Sequence, residues 1–303
     1  MTMEIRPYLL HALSPLHAGT GQSVGIIDLP IARLRATNIP FVPGSSLKGV
    51  LREARRALPS GEWEALFGPL RSVTGPAGDV AQEGDHAGAL VVGDARLVAL
   101  PVRSFTGTFA LVSSPLLLEL ARRDLAGLPG VPAPLKRRAG PGVWVGVDSV
   151  VAPKGSRQVF LEDLDLSVHE EPGVEAWGRF LGSALPGEEE LVRERFVVVD
   201  DETMNFLMET ATQVDTRVRI DAKTGAVEKG ALWQEESLPA ETLLIGVLAA
   251  GASLRKGTEL RADEVLERAL RGTSWLQLGG KATVGRGRCR LAAWPAPVKE
   301  SRR

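Results

Sequence analysis

The first convincing helix of this chain begins within the segment Pro43-Gly44-Ser45-Ser46-Leu47-Lys48-Gly49-Val50-Leu51-Arg52, and its first turn is basic rather than acidic. A helix N-terminus carries roughly +0.5 elementary charge, so Asp or Glu would be the stabilising choice there. Ser45 or Ser46 can cap this helix, but Lys48 occupies the position at which a capping box has Glu. Unpaired amides, the helix dipole and a cation converge, and this combination predicts a phosphate-binding site.

The same helix has an apolar stripe and a basic side. Leu47, Val50 and Leu51 recur at helical spacing, whereas Arg52 lies on the opposite side with Lys48. A solvated basic face explains these charges equally well, and only the predicted phosphate site at the helix start favours function. The candidate phosphate contacts are Gly44, Ser45, Ser46, Lys48 and Arg52.

Composition sets limits on the class of protein. The chain has 303 residues, a formal net charge of −1 and one cysteine, Cys289. The charge excludes a global positive field, and the single cysteine excludes an internal disulfide framework. No signal peptide is visible, and the longest apolar stretch, 243–254, is shorter than the about 20 residues that span a bilayer. We therefore expect a cytoplasmic protein without a membrane partner.

The two ends of the chain together predict an α+β fold. A strand at 8–13 precedes the helix, and a buried strand at 243–248, a helix at 261–271 and strands at 275–278 and 288–291 follow near the C-terminus. This order is typical of a split βαβ ferredoxin-like core with large insertions. The middle of the chain carries no sharp chemical signal.

Two further segments carry basic residues in ordered patterns. From Val214 to Ile220 apolar or β-branched residues alternate with charged ones, and the turn 223–225 follows, so a β-hairpin arm is predicted that presents Arg217 and Arg219. An ordinary sheet hairpin fits this periodicity equally well. The loop 279–287 is glycine-rich and matches neither a Walker nor a Rossmann motif. Its candidate phosphate contacts are Gly280, Lys281, Gly285 and Arg286.

Taken together, these residues resemble the RAMP proteins of CRISPR systems, most closely the repeated backbone subunit of the type III-B effector, the Cmr complex. The resemblance rests on motifs that occur in the family's order: His17-Ala18-Gly19-Thr20-Gly21, Ile27-Asp28-Leu29-Pro30-Ile31, the segment 43–52, Gly230-Ala231-Leu232-Trp233-Gln234-Glu235-Glu236 with Leu238-Pro239, and the glycine-rich loop. The middle third matches only weakly.

The resemblance implies a single RAMP domain over 1–303 with a ferredoxin-like or RRM-like palm and a protruding β-hairpin thumb. The palm is expected at about 1–70 and 240–298, insertions at about 70–200 and the thumb at about 212–238. It further implies a subunit that binds CRISPR guide RNA (crRNA), stacks with copies of itself in a helical filament and assembles with other type III-B subunits. Target RNA paired with the guide is cut at regular intervals, with Mg²⁺ or another divalent cation, in antiviral defence.

The resemblance implies that an aspartate in the N-terminal loop is required for cleavage of the target RNA, and the matching residue is Asp28. A carboxylate can accept the 2′-OH proton or offset charge on the phosphate through a bound metal ion, so Asp28 is the catalytic and metal-binding candidate. His17, Glu235 and Glu236 are the further catalytic candidates. Without the resemblance, Asp28 reads as a loop residue that caps a turn before Pro30.

Two other functions remain open on the sequence alone. The chain is also compatible with a guide-binding structural subunit that has little or no nuclease activity, in which another protein cuts. It is also compatible with a metal-independent ribonuclease that processes CRISPR precursor RNA. His17 favours this alternative, whereas Asp28 and the long thumb argue against it.

Overall fold

The structure is a computed structural model that describes residues 3–19, 27–69, 86–137, 140–272 and 275–295. Thr20 and Gly21 of the His17 motif lie outside the described residues, as does part of the predicted insertion. The strands are β1 (Glu4–Ala12), β2 (Phe41–Val42), β3 (Leu90–Val92), β4 (Ala95–Arg103), β5 (Phe109–Ser113), β6 (Val143–Val145), β7 (Gln158–Leu161), β8 (Leu164–Glu170), β9 (Phe196–Val199), β10 (Gln213–Ile220), β11 (Val227–Ser237), β12 (Leu243–Ala250), β13 (Trp275–Gln277) and β14 (Arg288–Ala293). The helices are α1 (Gly44–Ala54), α2 (Ser60–Phe67), α3 (Pro115–Asp124), α4 (Pro172–Gly182), α5 (Glu189–Arg195), α6 (Asp201–Thr210) and α7 (Ala262–Leu270).

The palm has the strand order of a ferredoxin-like fold. Strand β1 lies between β14 and β12 and is antiparallel to both, while β12 pairs with β3 and β4. Helices α1 and α7 pack on this sheet. The α+β, ferredoxin-like prediction is confirmed. Strands β3 and β4 fall within 70–200, so the palm also uses part of the segment predicted as insertions.

Alternation along β1 creates a core on each face of the sheet. Tyr8, Leu10 and Ala12 are buried in the core that includes residues of α1 and α7, and Leu9 belongs to a second core with Trp177 of α4. This two-sided burial follows from the two-residue period of a strand. The strand begins at Glu4 and continues through Pro7, which the sequence placed at its boundary.

The inserted strands extend the palm sheet. Beyond β4 the order continues β5, β9, β6, β8 and β7, with parallel pairing in β5·β9 and β6·β8. Helices α3, α4 and α5 supply residues to the second core. Among the helices of the described segments, none combines the length and apolarity that crossing a bilayer requires.

Strands β10 and β11 form a hairpin that has its own two-stranded sheet, which we call the thumb (residues 213–237). One face carries exposed apolar side chains, Val214, Val218, Ile220, Val227 and Leu232. Alternation places Arg217 and Arg219 on the opposite face. The predicted hairpin arm is therefore present.

Candidate RNA cleavage site at the base of the thumb

The Asp28 loop is held against the base of the thumb by main-chain hydrogen bonds. Leu29 forms a parallel bridge with Glu235, donating its N–H to the Gln234 carbonyl at 3.1 Å and accepting from the Glu236 N–H at 3.0 Å. Asp28 itself is exposed, and its Oδ2 accepts a hydrogen bond of 2.8 Å from the Gln234 N–H. Among the described residues its Oδ1 has no hydrogen-bond partner, so one carboxylate oxygen faces outward at a fixed place.

His17 lies beside the same strand end. Its Nδ1 is 2.7 Å from the carbonyl oxygen of Glu236. Because a carbonyl only accepts, Nδ1 carries a proton, and Nε2 is the ring nitrogen left for chemistry. A Cβ at Gly19 would come within 2.5 Å of that Nε2, so glycine keeps this side of the ring open.

Glu236 is a buried anchor. Its Oε2 accepts from the Ile31 N–H at 3.0 Å, and its Oε1 accepts from Thr212 Oγ1 at 2.9 Å and from Arg33 Nη2 at 2.5 Å. With its side chain 4% exposed, this carboxylate is occupied with holding the Asp28 loop to the thumb. Direct assistance to Asp28, as predicted, would require Glu236 to give up these partners.

Glu235 is buried as well and is surrounded by donors. Its Oε1 accepts from Lys281 Nζ and Trp233 Nε1, each at 2.7 Å, and Arg217 Nε lies 3.5 Å from Oε2. Burial acts to raise the pKa of Glu235, but the hydrogen bonds from Lys281 and Trp233 and the Lys281 charge outweigh it, so the pKa lies below its usual value. Glu235 therefore remains charged and neutralises two of the predicted RNA-binding cations.

The glycine-rich loop contributes mostly to the fold of this site. The Gly280 N–H donates to the His17 carbonyl at 3.1 Å, and the Gly285 N–H donates to the Ala282 carbonyl at 3.0 Å. These two amides, predicted as phosphate contacts, are thus used within the protein. The positive φ of Gly285, 80°, explains its glycine.

Arg286, predicted as a guide-phosphate contact, is engaged within the protein. Its guanidinium is buried, donates to Ser237 Oγ at 2.9 Å and forms an ion pair with Asp215 of β10. These contacts join the glycine-rich loop to the thumb. A sequence shows that this arginine is basic, but not that an acid from a distant strand reaches it.

The start of α1 is also satisfied from within the protein. The Gly44 N–H donates to Asp94 Oδ1 at 2.7 Å, so the anion that the helix dipole favours is a side chain from the β3–β4 turn. Gly44 is buried against β3, and a Cβ there would come within 2.2 Å of the Val92 carbonyl oxygen, which explains the glycine. Ser45 and Ser46 are exposed, and neither caps the helix. The Gly44 amide, predicted as a phosphate contact, is thus used within the protein.

Lys48 and Arg52 are the two basic residues of α1 that the sequence predicts as phosphate contacts. Lys48 Nζ donates to the Leu90 carbonyl at 2.9 Å, which is one of the three hydrogen bonds that an ammonium group can donate. Partial burial, followed by the nearby Arg52 charge, lowers the pKa of Lys48. Arg52 lies over the Trp63 ring at 4.4 Å. Adjacent like charges on one helix destabilise each other, and a bound phosphate would relieve that repulsion.

On the thumb, Arg219 is the more available arginine. Its side chain is 68% exposed and Nη1 lies 3.6 Å from Glu228, a surface pair that contributes little to stability. Sequence analysis missed Arg33, which fixes Glu236, and Asp94. Arg33 belongs to the short alternation of apolar and basic residues Ala32-Arg33-Leu34-Arg35, and this weak pattern was the only available signal.

Among the described residues, the donor set at the base of the thumb is too small to hold a metal ion on its own. Glu235 and Glu236 are engaged by cations and other donors, and Asp28 offers one outward oxygen. Such a set suits an ion such as Mg²⁺ that keeps most of its water and shares phosphate oxygens.

Comparison with known proteins agrees with this architecture. The family model described as RAMP superfamily matches residues 9–290. The chain is 32% identical to the CRISPR system Cmr endoribonuclease Cmr4 of Pyrococcus furiosus, over 92% of each chain, and 26% identical to the CRISPR system CMR subunit Cmr4 of Saccharolobus solfataricus, over 93% of this chain and 94% of that protein.

Solved structures share the fold. A crystal structure of oligomeric Cmr4 from P. furiosus superposes with a TM-score of 0.72 at 24% identity, covering 99% of this chain and all (100%) of that one. A chain in the cryo-EM structure of the type III-B Cmr-beta complex bound to cognate target RNA gives 0.70 at 20% identity, covering 95% and 96%.

Proposed function

The chain belongs to the RAMP superfamily, in which its relatives are Cmr4 subunits, and on this basis we propose that it is a crRNA-binding backbone subunit of a type III-B CRISPR effector and cuts target RNA paired with the guide. The observation that carries the proposal is the exposed Asp28 carboxylate, tied at 2.8 Å to the main chain at the base of the thumb. The P. furiosus relative that is named an endoribonuclease supports the same activity.

The proposed reaction is a transesterification within the target strand. The 2′-oxygen forms a bond to phosphorus, the bond from phosphorus to the 5′-oxygen breaks, one proton leaves the 2′-OH and one is gained by the 5′-oxygen. In this proposal Asp28 Oδ1 accepts the first proton, and His17 in its protonated form donates the second from Nε2. In-line attack needs a nucleotide freed from A-form geometry, which we assign to the thumb.

A divalent cation fits this site only together with RNA. When bound, Mg²⁺ would offset negative charge on the scissile phosphate, and Asp28 is the residue that would share it. Glu235 and Glu236 act here as positioning residues, because their oxygens hold Lys281, Arg33 and the Asp28 loop in place.

Guide binding is proposed along the cationic side of α1 and the thumb. Lys48 and Arg52 present charge along α1, and Arg219 continues it on the thumb. Such contacts to phosphates read no sequence, which suits a subunit that must accept any guide. Copies of the chain in a filament and other type III-B subunits are the proposed protein partners.

The test is cleavage by complexes assembled with the Asp28→Asn variant. Asn keeps an oxygen for the Gln234 N–H, so the loop geometry is retained while the charge is lost. We expect guide binding and assembly to survive and cutting to be lost, whereas Asp163→Asn, an exposed carboxylate on the β7–β8 turn, cuts normally. Continued cutting by the Asp28 variant at the same positions would refute the assignment.

A wild-type complex that binds target RNA but does not cut it with Mg²⁺ would favour the structural-subunit alternative. Cutting of precursor repeats in EDTA by the isolated chain would favour the processing alternative.

A further inference from the structure

A histidine and two glutamates from three separate elements meet on the side of β1 away from α1. His11 lies on β1, Glu188 directly precedes α5, and Glu241 lies in the turn between β11 and β12. One ligand atom from each side chain lies within 4.8 Å of the others. None of the three belongs to the cleavage site or to the proposed guide surface.

Of the two ring nitrogens of His11, Nε2 has a hydrogen-bond partner, whereas Nδ1 has none among the described residues. Nε2 lies 2.8 Å from Glu241 Oε2, and because a carboxylate accepts, Nε2 carries the proton in the neutral ring. Nδ1 is then a lone-pair nitrogen. It is buried, on a residue that is 1% exposed, and has no hydrogen-bond partner among the described residues.

Nδ1 of His11 faces the carboxylate of Glu188, and the distance between the two ligand atoms leaves room for a cation. Glu188 Oε2 lies 3.7 Å away, beyond hydrogen-bond range. Two electron-rich atoms thus face each other in a buried site. Ligand atoms of a tetrahedral zinc ion, with bonds of about 2.0–2.2 Å, lie about 3.4 Å apart, so a closure of a few tenths of an ångström would place an ion between them.

The surroundings match the outer shell of a metal site. A ligating histidine usually donates its other ring N–H to a carboxylate, as His11 does to Glu241. Arg290 Nη2 lies 2.8 Å from Glu188 Oε1, so it orients this carboxylate and leaves Oε2 to the ion. The side chains of Glu188 and Glu241 are 24% and 33% exposed, so solvent reaches the site and water can complete the coordination.

We propose that His11 Nδ1 and Glu188 Oε2 bind one divalent transition-metal ion, with Glu241 as the positioning residue of the imidazole. An imidazole combined with a carboxylate favours Zn²⁺, Mn²⁺ or Ni²⁺ over Mg²⁺, which requires oxygen ligands. The ion joins the palm strand β1 to the N-terminus of α5. Its function is to fasten the inserted layer to the palm, separately from RNA cleavage.

The experiment is calorimetric titration of the full-length chain, stripped of metal with EDTA, with ZnCl₂ and separately with MgCl₂. We expect one equivalent of Zn²⁺ to bind and the melting temperature to rise with Zn²⁺ concentration, because the ion binds the folded state. Glu241→Gln should weaken binding by about 10–100-fold as an outer-shell change, and Glu188→Gln should weaken it further. Asp28→Ala and the exposed Glu259→Gln should bind as the wild type does.

A spectroscopic measurement keeps the proposal testable if a variant is unstable. Co²⁺ added to the wild-type chain should give visible absorption bands that Zn²⁺ removes and that Asp28→Ala leaves unchanged. Three results would overturn the proposal: no Zn²⁺ binding to the wild type, equal binding by Glu188→Gln, or equal affinity for Mg²⁺. The proposal would also be overturned if NMR at pH 7 with Zn²⁺ present showed both ring nitrogens of His11 protonated, because a proton would then occupy Nδ1 in place of the ion.

Discussion

Replacement of Glu236 separates a structural role of the acidic pair from a chemical one. In Glu236→Ala the Ile31 N–H and the Thr212 hydroxyl lose their acceptor, and Arg33, 18% exposed, loses its carboxylate. Breaking a buried ion pair by removing one partner costs about 3–5 kcal/mol. Arg33 keeps hydrogen bonds to the Met208 carbonyl at 2.9 Å and to the Asn38 carbonyl at 3.2 Å, so the lower end, about 3 kcal/mol, is expected.

The matched variant is Glu236→Gln, which keeps the volume and one acceptor oxygen. Loss of a hydrogen bond to a charged group costs about 1.5–3 kcal/mol, so Gln should destabilise less than Ala. The assay is urea unfolding at pH 7 followed by tryptophan fluorescence, with guided cleavage measured on the assembled complex. We expect Glu236→Gln to fold and still cut, because the Asp28 loop retains its main-chain hydrogen bonds to β11.

A double-mutant cycle with Arg33→Met identifies the source of the loss. The coupling free energy between Arg33 and Glu236 should exceed 1 kcal/mol in magnitude, as in-contact ionic pairs typically reach about 0.5–3 kcal/mol. The structural role of Glu236 is contradicted if Glu236→Ala changes the free energy of unfolding by less than about 1 kcal/mol and yet abolishes cutting. A change that small is close to that of an ordinary surface substitution.

Three further outcomes are expected. Lys48→Ala should reduce the dependence of log Kd for guide RNA on log salt by about 0.7, the contribution of one phosphate on a single strand, and an unchanged slope would remove Lys48 from the guide surface. Gly44→Ala should lower the free energy of unfolding by about 1–3 kcal/mol, because its Cβ would overlap the Val92 carbonyl; equal urea midpoints would contradict this. The pKa of Glu235 in the folded state is depressed, so the stabilisation from this carboxylate is present above the ordinary pKa of a glutamate and is lost as the pH falls through the folded-state pKa. In urea unfolding the gap between wild type and Glu235→Gln should therefore narrow as pH falls from 7 to 3, and a constant gap would argue against the Lys281 pair.

Local periodicity was sufficient to predict much of the fold. The alternation in β10 and the helical stripes of α1 and α7 depend on neighbours within a few residues, and their elements are present as expected. The central part of the chain was harder, because β4 joins the palm by pairing with β12, more than a hundred residues later. Such pairings leave little local trace.

Side-chain partners were the part that sequence could not supply. Asp94 occupies the helix start predicted for phosphate, and Asp215 engages an arginine predicted for guide RNA. Both acids come from distant turns or strands, so only the fold brings them to these cations and amides. Asp28 was identified through its family motif, since its exposure and its bond to Gln234 depend on the thumb.

The most direct test of the central claim is the strength of each cut when complexes are assembled from mixtures of wild-type and Asp28→Asn chains. If each subunit cuts with its own carboxylate, the intensity at every position falls in proportion to the wild-type fraction and reaches zero, while the positions stay the same. Full cutting by complexes that contain only Asp28→Asn would contradict a cleavage site at the base of the thumb.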